Sequence, residues 1–245
     1  MQVAKHAIRL EMWDRLSAAR VVAFPGAKGR IPNFVGAGEA ARRLAEHPAW
    51  RAGTALKANP DMPQLPVRAA ALAAGVRVYM AVPRLARERP FLLLNPDALA
   101  DEGVSARTAA TIRGSSRHGV PVAIGDLEHL DLVVCGSVAV NRDGVRIGKG
   151  GGYSDLEFAL ARELGLIDQR TVIATTVHPL QVLDAPLPET GHDFRVDLLV
   201  TPEGIVAVPG AVAHRPQGVS RQDLTPEKIA AIPVLAARFG VPASE

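Results

Sequence analysis

Apolar positions along the chain follow two rhythms. One recurs every three to four residues and predicts helices. Ala7, Ile8, Leu10, Met12 and Leu16 form an approximate stripe over residues 3 to about 20. GAGEAARRLAEHPAW (36–50) predicts a second helix, LPVRAAALAAG (65–75) a third that closes on Gly75, and DLEFALARELGLI (155–167) a fourth. The other rhythm is a short apolar run bounded by turn residues, which predicts buried strands. Such runs are GTALKANPD (53–61) with a turn at Asn59-Pro60-Asp61, VRVYMAVP (76–83), DLVVCGSVAV (131–140) and TVIATTV (171–177). RVDLLVTPEGIVAV (195–208) reads as a strand, a turn at Pro202-Glu203-Gly204 and a second short strand. FPGAKGRIPNFVGA (24–37) is loop, NRDG (141–144) is a turn, and residues 84 to 107 read as irregular. From Thr225 the tail reads as helix and then coil. Helices alternating with short apolar strands predict an α/β fold, a three-layer α/β/α sandwich around a mostly parallel central sheet. No internal repeat or low-complexity linker interrupts residues 1–245, so one domain is expected.

Composition narrows the class. Of the 245 residues, 48% are apolar and 22% charged, enough core for a globular fold with an ordinary surface. The net charge of +3 is scattered, with no run of five or six Lys or Arg, so no nucleic-acid partner is expected. No apolar stretch reaches the ~18 residues of a membrane span, and no targeting segment opens the chain. A single cysteine, Cys135, can form no internal disulfide and sits in an apolar run as a buried thiol. A cytoplasmic location without a membrane partner is the expectation; the sequence leaves the oligomeric state open.

The densest chemistry lies in RIGKGGGYSDLEFAL (146–160), where a strand gives way to a helix. It is not a P-loop, because Lys149 is followed by Gly150 rather than Ser or Thr. It is not a dinucleotide fingerprint, because Tyr153 stands where the third glycine belongs. Nor is it a nucleophile elbow, since Ser154 is followed by Asp155 and Leu156. It still has the physics of a phosphate cradle. Glycines expose backbone N–H groups, the helix start is electropositive, Arg146 and Lys149 add charge, and Asp155 is placed to meet a Mg²⁺ ion. The alternative is a flexible turn with Asp155 as helix cap.

DLVVCGSVAVNRDGVRIGKGGGYSD resembles the signature of the 5-formyltetrahydrofolate cyclo-ligase, or methenyltetrahydrofolate synthetase, family. HPLQVLDAPLPETGHDFRVDLLVTPEG and the opening KHAIR resemble two further blocks of that family, in the right order. The resemblance implies an ATP- and Mg²⁺-dependent closure of 5-formyltetrahydrofolate to 5,10-methenyltetrahydrofolate. It also implies that Lys5, Arg9, Arg146, Gly148, Lys149, Gly150, Gly151, Gly152 and Tyr153 hold ATP, with Arg146 and Lys149 acting in catalysis. Asp155 and Asp193 are the implied metal ligands. The chain departs from the family at Tyr153-Ser154-Asp155-Leu156, where a second aromatic and an arginine are expected. It also lacks the mid-chain Glu, offering only Asp61 in KANPDMPQLPVRAAAL. GRIPNFVGA (29–37) and the tail from about residue 215, with PQGVSRQDLTPEKIAAIPVL, are additions. These features resemble a divergent branch, the methenyltetrahydrofolate synthetase domain-containing proteins, whose substrate differs or whose activity is lost.

Lys57, Asn59 and Asp61 end a strand, where α/β proteins place ligands, and are substrate candidates together with Arg84. Arg30 and Asn33 face a substrate, or Phe34 clamps their loop to the core. Arg68 reads as a solvated charge on a helix. His178 and His192 match no metal spacing, and His192 is expected to shape the loop that carries Asp193. Trp13 and Trp50 are expected to pack. Three functions stay open: the cyclo-ligase, a paralogue acting on another small heterocycle such as a thiamine-related pyrimidine, and a non-catalytic nucleotide-binding regulator. An RNA-associated role is disfavoured, because the chain lacks a recognition module with paired aromatics.

Overall fold

Strands that are apolar on both faces must be covered on both faces, and the chain is arranged accordingly. The computed structural model describes residues 1–51 and 55–242. Its helices in chain order are α1 (Gln2–Ala18), α2 (Ala37–Glu46), α3 (Pro48–Arg51), α4 (Leu65–Ala73), α5 (Pro96–Asp101), α6 (Ala106–Ala109), α7 (Ile112–His118), α8 (Tyr153–Glu163), α9 (Pro226–Ala231) and α10 (Pro233–Phe239). The strands are β1 (Ala55–Ala58), β2 (Arg77–Ala81), β3 (Phe91–Leu94), β4 (Val120–Val122), β5 (Leu132–Cys135), β6 (Ala139–Asn141), β7 (Arg146–Ile147), β8 (Val172–Thr176), β9 (Val182–Leu183), β10 (Leu198–Val200) and β11 (Ile205–Ala207). Gly53 and Thr54, assigned above to the first strand, lie outside the described residues.

Among the described residues, eight strands form one sheet in the order β11-β10-β8-β5-β1-β2-β3-β4. The five from β10 to β2 are parallel, and β11, β3 and β4 pair antiparallel at the edges. Pleating sends alternate residues to opposite layers. Leu56, Ala58, Val134 and Val200 meet α2, α4 and α6 on one face. Ala55, Val133, Ile173 and Leu199 meet α8, α9 and α10 on the other. Lys57 shares the second face, a position that obliges a buried partner for its charge. A second sheet, β7-β6-β9, carries α1 through Met12, Leu16, Ala139 and Ile147. No helix among the described residues is long and apolar enough to cross a membrane.

Three assignments of secondary structure change. DLVVCGSVAV is two strands in two sheets, β5 and β6, and the chain crosses between them at Gly136. A Cβ there would lie 2.8 Å from Ile31 Cγ2 and 3.0 Å from Gln64 Oε1, so any side chain would force Ile31 to move. The segment 84–107 is not irregular. It contains β3, whose Leu-rich run is buried, and α5, capped by Asn95, which accepts from the Asp97 N–H at 3.0 Å. The tail is two helices, split where Pro233 opens α10.

Arg68 is the largest correction. It is fully buried, not solvated. On α4 it lies three residues after Leu65 and four before Leu72, on the inward side. Its guanidinium donates to four carbonyls: Asn59, Asp61 at 3.1 Å, Pro60 at 3.3 Å and Ala110 at 2.9 Å. Burial lowers its pKa to about 10, against the pull of Asp61. The turn after β1 therefore hangs on this one side chain. Arg68→Ala removes the donors and leaves buried carbonyls unpaired, with an expected loss of roughly 3–5 kcal/mol. Urea unfolding checks this; an unchanged midpoint would mean the turn holds without Arg68.

Candidate functional site

Ligands of open α/β sheets bind beyond the carboxyl ends of the strands, where neighbouring strands lead off in opposite directions. Here that point lies between β1, which leads through α4 to β2, and β5, whose sheet neighbour on the other side is β8. A cleft of about 730 Å³ opens there. One wall is the glycine loop Gly148–Gly152 with Tyr153, Ser154 and Asp155 at the start of α8. The facing wall is Asn59, Pro60, Asp61 and Met62 after β1, and Val82 to Arg84 after β2. Gly136, Arg146 and Glu157 also line it, and Gly29, Arg30 and Ile31 come from the N-terminal loop.

The glycine loop is shaped by backbone that side chains would spoil. Gly150 has φ +112° and Gly152, the residue that caps α8, has φ +66°. A Cβ on Gly151 would come within 2.8 Å of the Tyr153 ring. No side chain caps α8, so the N–H groups of its first turn stay free for a ligand. The N-cap reading of Asp155 is therefore corrected: Gly152 holds that position and Asp155 lies within the first turn.

Beneath the loop lies a buried pair. Arg146 Nη2 donates to Asp155 Oδ1 at 2.5 Å, with side chains 3% and 13% exposed. The guanidinium carbon stacks 3.9 Å from the Phe194 ring centroid, and Phe194 stacks on Phe158 at 4.5 Å. Burial is the largest influence and works against the Arg146 charge, but Asp155, Cys135, Asp193 and Glu157 together outweigh it and the pKa is raised. Burial also raises the Asp155 pKa, against the pull of Arg146. The Nε of Arg146 is buried without a hydrogen-bond partner. An orphan donor beside an anion-shaped loop suits a phosphate.

The remaining candidates fall into two groups. Lys149, Asn59, Asp61 and Arg84 line the cleft with the loop residues. Lys149 Nζ reaches across it to Asp61 Oδ1 at 2.7 Å. Arg84 stands on the rim, its backbone and that of Leu85 both at positive φ, 61° and 53°. Lys5, Arg9, Asp193 and Lys57 do not line the cleft. Arg9 Nε donates to the Gly148 carbonyl at 2.6 Å. Lys5 Nζ meets Asp193 Oδ2 at 2.5 Å. That carboxylate also accepts from the Thr190 N–H at 2.6 Å and hydroxyl at 2.8 Å. Desolvation opposes the Asp193 charge, yet these donors prevail and hold its pKa low. His192 Nε2 sits 3.0 Å from the Thr190 hydroxyl, so it does shape this loop. Lys57 is buried against Glu157 of α8 and donates to Asn59 Oδ1 at 2.7 Å, which orients Asn59 at the cleft edge.

Of the two metal candidates, only Asp155 faces the cleft, and Arg146 already occupies one of its oxygens. Asp193 has its Oδ2 engaged by Lys5 and Thr190 and does not line the cleft. Among the described residues no group of three or more His, Cys, Asp or Glu is arranged to hold a metal. The donor set thus suits an ion brought in on a phosphate, with at most one protein carboxylate, rather than a metal caged by the protein.

The structure divides RIPNF: the clamp by Phe34 is observed, whereas of the two polar residues only Arg30 reaches the cleft. Phe34 is buried in the core, Asn33 donates to the Phe24 carbonyl at 2.5 Å, and Arg30 lines the cleft. Trp13 and Trp50 are buried, and Cys135 is buried with its thiol pKa pushed up by desolvation. Sequence reading missed Glu157. Its signal is Lys57 in an otherwise apolar strand, which demands a buried acid. It also missed Lys228 of α9, which donates to the Gly151 carbonyl at 3.1 Å. No periodicity or motif marks that residue.

Comparison with known proteins matches residues 1–202 to the model of the 5-formyltetrahydrofolate cyclo-ligase family. The methenyltetrahydrofolate synthase domain-containing protein of Mus musculus is 37% identical over 236 residues, which is 95% of this chain and 62% of that protein. The Homo sapiens protein of the same description is 34% identical over 236 residues, 95% of this chain and 61% of its own. The chain thus spans 62% and 61% of the length of these two curated relatives. The NMR structure of Aquifex aeolicus 5,10-methenyltetrahydrofolate synthetase overlaps 82% of this chain and 93% of its own, with a TM-score of 0.49 at 16% identity. With the family model matched over residues 1–202 of 245, the chain belongs to the 5-formyltetrahydrofolate cyclo-ligase family.

Proposed function

We propose that the chain is an ATP-dependent cyclo-ligase that converts 5-formyltetrahydrofolate to 5,10-methenyltetrahydrofolate. The observation that carries the reading is the glycine loop at the start of α8, with the unpartnered Arg146 Nε beside it. When bound, ATP supplies the phosphoryl group that turns the formyl oxygen into a leaving group, and the products are the methenyl compound, ADP and phosphate. Phosphoryl transfer asks a protein for position and charge rather than a nucleophile. The loop N–H groups and the α8 start receive the phosphates. Arg146 offers a fixed donor, its orientation locked by Asp155 and Phe194. Lys149, 48% exposed at its side chain, can swing from Asp61 to a phosphate oxygen. Asn59, Asp61 and Arg84 face the substrate side, and a Mg²⁺ ion arriving with ATP would meet Asp155.

A second reading keeps the ATP chemistry and changes the acceptor to another small heterocycle. It is favoured by the facing wall, where Asp61 is engaged by Lys149 and no glutamate follows β1.

Absorbance of methenyltetrahydrofolate, measured with Mg-ATP and 5-formyltetrahydrofolate, separates the readings. Product formation that needs both ligands is expected. ATP binding without product moves the assignment to the second reading, and absence of ATP binding removes both. Lys149→Met is expected to weaken ATP binding roughly tenfold with unchanged thermal stability, since it loses one charge-assisted contact. Gly150→Ala is expected to weaken ATP binding by a similar factor, because alanine strains at φ +112°. Titration calorimetry checks both, and wild-type affinity in either would rule out this loop as the nucleotide site.

A further inference from the structure

We propose that Lys228, beyond the span matched by the family model, is a positioning residue of the glycine loop: it holds the Gly151 carbonyl from behind and so presents the Gly152 N–H to an anion in the cleft. The inference rests on the nucleotide reading above and adds a component of the site that the family match, ending at residue 202, does not contain.

Gly151 and Gly152 line the cleft, whereas Lys228 does not. Its ammonium lies 3.1 Å from the Gly151 carbonyl oxygen and 3.2 Å from where a Cβ on Gly152 would sit. It also stands 5.0 Å over the Tyr153 ring centroid. A trans peptide is planar, with its C=O and N–H pointing in opposite directions. Binding the Gly151 carbonyl on the far side therefore turns the Gly152 N–H, in the same peptide unit, toward the cleft. Arg9 does the same at the other end of the loop, where it holds the Gly148 carbonyl and so directs the Lys149 N–H. Glycines at φ +112° and +66° have no side chain to enforce this conformation, so the clamps must come from elsewhere.

Lys228 is itself held in place. Thr225 caps α9 by accepting the Lys228 N–H at 3.2 Å. The next residue, Ile229, is 4% exposed and packs in the cluster that contains α8 residues Leu156 and Leu160. The ammonium thus arrives on a helix start anchored to the helix whose N-terminus it serves. A lysine on a mobile tail would lose much of its effect to side-chain entropy.

The test compares wild type, Lys228→Met and Lys228→Arg in the full chain. Three quantities are read: ATP affinity by calorimetry, amide hydrogen exchange over residues 148–155, and thermal stability. Lys228→Met is expected to bind ATP roughly tenfold more weakly, as for loss of one charged hydrogen bond. It should exchange the loop amides faster with the rest of the protein unaltered, and Lys228→Arg should restore both. A Lys228→Met protein that matches wild type in affinity and exchange overturns the proposal. So does a variant whose losses Lys228→Arg does not restore, since that is packing rather than a held carbonyl. Wild-type protein that binds no ATP overturns the nucleotide reading and, with it, the ligand assigned to this clamp.

Discussion

The Arg146–Asp155 pair is what the rest of the site depends on. A buried charge is stable only when paired, and removing one partner of such a pair costs about 3–5 kcal/mol. Arg146 comes from β7 of the small sheet and Asp155 from the first turn of α8, which covers the large one. The pair therefore fixes both sides of the five-residue loop that joins them. Phe194 and Phe158 close it off beneath, and the loop closes it off above. Lys5 and Asp193 repeat the device nearby and tie α1 to the loop that carries Phe194. Fixed dipoles and charges of this kind need no rearrangement when an anion arrives.

Much of this was legible in the sequence because local pattern and tertiary role agree. β1, β5 and β8 read as buried strands since both of their faces are covered. The glycine loop read as a strand-to-helix junction since its residues are contiguous, and it joins β7 to α8. The failures share one cause. β3 hides in a segment full of Pro and Arg, and it pairs antiparallel at a position that only the assembled sheet defines. The split of DLVVCGSVAV depends on how closely Ile31 and Gln64 approach Gly136, which no local propensity encodes. Arg68 was misread because charge was weighed above period, although its place between Leu65 and Leu72 already put it inside. Glu157 could have been inferred from Lys57, and Lys228 from nothing short of the fold.

Buried or half-buried cations, among them Arg9, Arg68, Arg146 and Lys228, sit on backbone carbonyls or carboxylates around one cleft. Arg68 shapes the wall after β1, and Arg9 and Lys228 shape the facing loop. These contacts set geometry as well as stability. They explain how two walls made of irregular backbone, one rich in proline and one in glycine, keep a defined shape.

The Lys149–Asp61 bridge has a consequence for how ligands meet. It spans the cleft, joining the glycine loop to the turn after β1, at 2.7 Å between a half-exposed lysine and a largely covered aspartate. Such pairs contribute only about 0–1 kcal/mol, so little is lost when a ligand breaks one. An anion that draws Lys149 away sets Asp61 free for whatever occupies the opposite wall, and a cationic or hydrogen-bonding group on Asp61 releases Lys149 in turn. On the proposed function the bridge would link the two halves of the cleft thermodynamically, and ligands competing for its two ends would change each other's affinity by the same factor, whichever arrives first.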